Sequence, residues 1–90
     1  MDSAFYEDIA GRLRGLLIRM SDRLTTKDQV LIVEFIDANE PGVALEQMAA
    51  GLSEDEKPLS ADERSDMMAL ADRMNLGQRV SRALALCPSH

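Results

Sequence analysis

Ninety residues are enough for one small domain with a single hydrophobic core. With 46% hydrophobic and 29% charged residues, the balance is that of a globular chain rather than a disordered one. The formal net charge is −6, and no apolar run approaches the roughly 18 residues that cross a bilayer.

The first helix is predicted to run from Ser3, as N-cap, to Met20 or Arg23. Phe5, Ile9, Leu13, Leu16, Leu17 and Met20 recur at helical spacing and form one buried stripe. Glu7 and Asp8 near its start, with Arg19 and Arg23 near its end, suit the helix dipole. Gly11 and Gly15 either weaken this helix or mark the close approach of another. The apolar Leu16-Leu17-Ile18 lies between Arg14 and Arg19, and the chain opens with no signal-peptide pattern, so a cytoplasmic protein is expected.

Thr26-Lys27-Asp28-Gln29 matches a capping box and predicts a second helix from about Lys27 to Ala38. Only Glu34 and Asp37 in it are expected to face water, so it should touch neighbours on several sides, with Phe35 in the core. The β-branched pair Ile32-Val33 also suits a strand, but the caps and the length favour helix. Asn39 is expected to cap a third helix that starts at Pro41, where the missing donor is no loss. That helix runs to about Glu54 and carries Val43, Ala44, Leu45, Met48, Ala49 and Leu52. The corner between the two predicts an αα-hairpin onto which the remainder packs.

Ser53-Glu54-Asp55-Glu56-Lys57-Pro58-Leu59 is a polar connector ended by Pro58. Ser60-Ala61-Asp62-Glu63 is a second capping box, opening a fourth helix from Ala61 to about Met74 with Met67, Met68, Leu70, Ala71 and Met74 on its inner stripe. Asn75-Leu76-Gly77 reads as a stop in which Gly77 takes a left-handed conformation. A short fifth helix, from about Gln78 to Leu86, would bury Val80, Ala83, Leu84 and Leu86 before Pro88 ends it. The reading is therefore an all-α domain of four to five helices spanning residues 1–90.

Charge is unevenly spread. Residues 1–33 balance five acids against five bases, residues 34–66 hold ten acids against Lys57 and Arg64, and residues 67–90 set Asp72 against Arg73, Arg79 and Arg82. The acidic middle third repels phosphates, which argues against direct nucleic-acid binding. It is either a solvated face that keeps a small protein soluble or a surface that steers in a basic protein.

Little in the chain suggests catalysis. Cys87 is the one cysteine and His90 the one histidine, so neither a disulfide nor a soft-ligand metal cluster is available. Cys87 reads as a small apolar residue near the end of the chain rather than a reactive thiol. Glu54-Asp55-Glu56 lacks the ligand spacing and the central glycine of a calcium loop, and the five glycines are too scattered for a phosphate loop. Met48, Met67, Met68 and Met74 could line an adaptable groove, but their spacing favours core filling. An acyl-carrier protein would need an Asp-Ser-Leu site opening its second helix, and a helix-turn-helix DNA binder would need basic residues where 31–52 has none. No enzyme, cofactor or metal is expected.

The run Phe35-Ile36-Asp37-Ala38-Asn39-Glu40-Pro41-Gly42-Val43-Ala44-Leu45-Glu46, followed by Leu52-Ser53-Glu54, Pro58-Leu59-Ser60 and Leu70-Ala71-Asp72-Arg73-Met74, resembles the MafI-type immunity proteins. The resemblance covers about residues 24–76 and departs from the family pattern at Asn39 and Pro41. These are small cytosolic proteins of bacterial polymorphic-toxin and contact-dependent inhibition systems. The resemblance implies a helical protein that binds and neutralises a cognate toxin domain, often a nuclease. From charge rather than from the family, Glu40, Glu46, Glu54, Asp55, Glu56, Asp62, Glu63 and Asp66 are the expected partner-binding residues. The runner-up is an acidic adaptor or DNA-mimic anti-regulator that binds another protein.

Overall fold

The computed structural model describes residues 3–89. Among these, α1 (Ser3–Met20) runs into one turn of 3-10 helix (Ser21–Arg23), and α2 (Thr26–Asp37), α3 (Pro41–Glu54), α4 (Ala61–Arg73) and α5 (Gly77–Leu84) follow through short turns. The chain thus forms the expected all-α bundle. None of these helices is long and apolar enough to cross a membrane.

The core is built from Ile9, Leu13 and Met20 of α1, Ile32 of α2, Leu45, Met48 and Leu52 of α3, Met67 of α4, and Val80 and Leu84 of α5, all at most 1% exposed. Its axis is α3, which touches all four other helices. Small residues allow this. A Cβ on Gly51 would stand 2.7 Å from Asp28 Oδ2 and 3.0 Å from Leu24 Cδ2, so glycine lets α3 lie this close to the start of α2.

Several expectations change in consequence. Because α3 takes the centre, α2 lies at the edge: only Ile32 and Ile36 are buried, Val30 is 51% exposed, and Phe35 is half-buried at the margin of the core. Nothing lies within 4 Å of a Cβ built on Gly11 or Gly15, so neither marks a close approach within the fold. Leu86 is 59% exposed, and Cys87, 5% exposed, takes the inward position.

The helix ends differ by a residue or two. The N-cap of α2 is Thr25, whose hydroxyl accepts from the Asp28 N–H, and the Gln29 amide instead donates to the carbonyls of Ser21 and Leu24. Asn39 is not a cap for α3. It sits at φ 60° and closes α2, with its own N–H on the Ile36 carbonyl and the Glu40 N–H on that of Phe35. Asn75 at φ 59° ends α4 in the same way, which leaves Gly77 free to begin α5. Glu56 at φ 48° ends α3. All three are Schellman turns, which pair the last carbonyls of a helix by reversing the backbone through a left-handed residue. Ser3, expected as N-cap, is the first residue of α1, and the position before it lies outside the described residues.

The predicted capping box at Ser60 is present: its hydroxyl accepts from the Glu63 N–H and the Glu63 carboxylate accepts from the Ser60 N–H. Beyond α5 the chain is held rather than frayed. Arg64 donates to the carbonyls of Leu84 and Cys87 at 2.6 and 2.8 Å, and the Leu59 N–H donates to Pro88.

Candidate functional site

The eight acids expected at a partner surface fall into three groups. Glu63 is 8% exposed and belongs to the interior. Both its oxygens accept from the Arg23 guanidinium at 2.7 Å, and Arg23 also donates to the Pro58 and Arg19 carbonyls. The Arg23 hydrogen bonds hold the Glu63 carboxyl down to about 2, against the opposing effect of burial, and the Ser60 N–H adds to this. Glu63 is therefore a strut between the turn after α1 and the start of α4, not a contact residue.

Glu46 and Asp66 are at the surface, but each is matched by a cation of the chain: Arg79 at 3.1 Å and Arg19 at 2.9 Å. Their fields are largely cancelled at the distance of an approaching protein.

Glu40, Glu54, Asp55, Glu56 and Asp62 are exposed and form no ion pair among the described residues. Glu40 stands alone at the opening of α3, about 20 Å along the helix from Glu54. The other four share one end of the bundle, because the connector after Glu54 leads directly into α4. Glu54, Asp55 and Glu56 stand at the C-terminus of α3, where the helix dipole is negative and no basic residue occupies the last turn. Glu56 additionally holds a left-handed conformation that a side chain with a Cβ adopts at a cost. The C-terminus of α3 is thus built against local stability, whereas Asp62 lies in the first turn of α4, where the helix dipole favours an acid.

One feature escaped the sequence reading. A groove of about 490 Å³ opens between α1 and α4, floored by Gly15, Leu16, Ala69 and Leu70. Arg12, Arg19 and Arg73 stand around it with Asp66. The signal was present in α1, where Arg12 and Arg19 are two turns apart with Gly15 between them, but the pairing with α4 depends on the tertiary fold.

The remaining candidates are structural. Burial pushes the Cys87 thiol up, away from the thiolate that nucleophilic chemistry uses. His90 lies outside the described residues. Met48 and Met67 are fully buried, and Met68 and Met74 pack against the core from its edge, so these methionines fill space. No group of three or more His, Cys, Asp or Glu among the described residues could hold a metal ion.

Compared with protein-family models, curated proteins and solved structures, the chain matches none.

Proposed function

We propose that this protein is an immunity protein of the MafI type, which binds a cognate toxin domain in the cytoplasm of the cell that makes both and catalyses nothing itself. The toxin would be basic, as a nuclease that grips phosphate is, and the acidic end of the bundle would cover its cationic surface. The observation that carries this reading is the placement of Glu54, Asp55 and Glu56. Three unneutralised carboxylates sit at the negative end of α3, one of them in a costly backbone conformation, an arrangement that detracts from folding and suits a cationic partner. Asp62 extends the patch, and Glu40 contributes only if the partner reaches the far end of α3.

The test is association with the product of the adjacent toxin gene. Replacing Glu54, Asp55 and Glu56 by lysine should slow association by about tenfold or more at low salt and flatten its salt dependence, with less effect on dissociation. The same variant should fail to protect cells that express the toxin. An unchanged on-rate would remove this end of the molecule from the interface, and a partner that proves to be a regulator rather than a toxin would replace immunity with an adaptor role.

A further inference from the structure

The acidic turn after α3 is tied down by groups from distant parts of the chain. On its near side the Glu56 and Lys57 N–H groups return to the carbonyls of Ser53 and Leu52. On its far side the Pro58 carbonyl accepts from Arg23 at 3.1 Å, and the Leu59 N–H donates to the Pro88 carbonyl at 3.0 Å, where Leu59 and Ser89 form an isolated bridge. Leu59 is 1% exposed, so its N–H depends on Pro88 while the fold is closed.

Residues 85–89, which supply that acceptor, are weakly held by their own side chains. Ala85, Leu86, Pro88 and Ser89 are exposed, and Cys87 alone turns inward. What fastens the segment is one side chain of α4. Arg64 donates through its two terminal nitrogens to the Leu84 carbonyl at 2.6 Å and the Cys87 carbonyl at 2.8 Å, so a single guanidinium clamps the end of α5 to the segment that follows it. Arg64 is half-buried and forms no ion pair among the described residues. Its hydrogen-bonding capacity is committed to backbone rather than to the acids beside it on α4.

We infer that residues 85–89 form a strap, fastened by Arg64, that holds the acidic turn in one conformation. The contacts are continuous: Arg64 fixes the Cys87 carbonyl, the next carbonyl takes the Leu59 N–H, and Leu59 closes the connector that begins at the acidic turn. With the strap closed, Glu54, Asp55 and Glu56 are presented in a fixed arrangement, and a partner does not have to order them. With it open, the turn keeps its helix-end hydrogen bonds and the Arg23 tie but loses its hold at Leu59, and Cys87 becomes accessible. The coupling of strap to turn stands by itself; its consequence for docking rests on the acidic end being the contact surface, as proposed above.

Three reporters separate strap, turn and whole fold in the full chain. Cys87, the one cysteine and 5% exposed, reports strap opening through its rate of alkylation by iodoacetamide. Hydrogen exchange at the Lys57 amide reports the turn, and exchange at the Met48 amide reports global unfolding. Arg64→Ala should speed Cys87 labelling and Lys57 exchange by about tenfold or more, and by clearly more than it speeds exchange at Met48. The Arg64 charge favours the Cys87 thiolate, so its loss alone would slow alkylation, and faster labelling reports opening. Arg64→Lys keeps the charge without the fork to two carbonyls and should fall between the two proteins. In the toxin complex, Arg64→Ala should raise the dissociation rate severalfold and leave the on-rate at least as fast, the converse of the triple-lysine variant. Unchanged Cys87 labelling would overturn the strap, and faster labelling with Lys57 at the wild-type rate would overturn its coupling to the turn. Equal acceleration at all three reporters would overturn both, since Arg64 would then support only the fold. An unchanged dissociation rate would remove the docking consequence. A triple-lysine variant with an unaltered on-rate would sink the acidic-end reading alone, because labelling and exchange do not involve the toxin.

Discussion

At the residue scale, chemistry read from the sequence placed the caps by type and missed some by position. Ser60 and Glu63 lock because the box is unambiguous, whereas Thr25 and Thr26 carry the same hydroxyl and only the register of α2 decides which one caps. Asn39 and Asn75 tolerate left-handed backbone as well as capping, so the choice between roles lies in the path of the chain beyond them. Glu56 bore no such mark, since glutamate has no preference for that conformation. Glu56→Gly should therefore stabilise the fold by about 1 kcal/mol, read as a raised denaturant midpoint at constant m-value. Destabilisation would mean that the Glu56 side chain supports the turn. Phe35, half-buried, should cost only about 1–2 kcal/mol on truncation to alanine, while Met48→Ala, at the centre, should cost about 2–5 kcal/mol. The reverse order in thermal melts would put the core around α2 after all.

At the element scale, the first four helices were legible because apolar spacing agrees with a start or stop signal in each, and the fifth only as the upper end of a range of four to five. Their rank in the packing was not. A run such as Val30-Leu31-Ile32-Val33 looks more central than the alanine-rich α3, but the small residues of α3 let four neighbours approach, and closeness on all sides makes a helix the axis. The apolar surplus on α2 is left partly exposed at Val30. The glycines of α1 show the same limit from the other side, since a sequence cannot reveal whether a missing Cβ is used. Gly11→Ala and Gly15→Ala should each stabilise by about 0.5–1 kcal/mol, because helix propensity improves and nothing is displaced. Loss of stability in either variant would reveal a contact that the helix needs bare.

At the scale of the whole molecule, the ten acids of the middle third were legible as a block, but the division of the eight expected at a partner surface into interior, neutralised and free groups was not, because each arginine partner lies 33 or more residues away in sequence. Arg23 and Glu63, 40 residues apart, are the decisive case: the sequence placed Glu63 in a cap, and the fold makes the same carboxylate hold the turn after α1 to the start of α4. This pair contributes stability that depends on pH on the acid side. The folded-state pKa of Glu63, about 2, lies below its ordinary value of 4.5, so its contribution is fully present above about pH 4.5 and is lost as pH falls toward 2. The loss should be on the order of 2 kcal/mol. Glu63→Gln removes the titrating group, so its unfolding free energy should lie below that of the wild type at neutral pH, with the gap closing between pH 4.5 and 2. The rest of the sequence is the same in both proteins and cancels in the difference. Denaturant titrations of the two at half-unit steps of pH measure the gap directly. A constant gap down to pH 2 would show that the ion pair holds no pH-dependent stability.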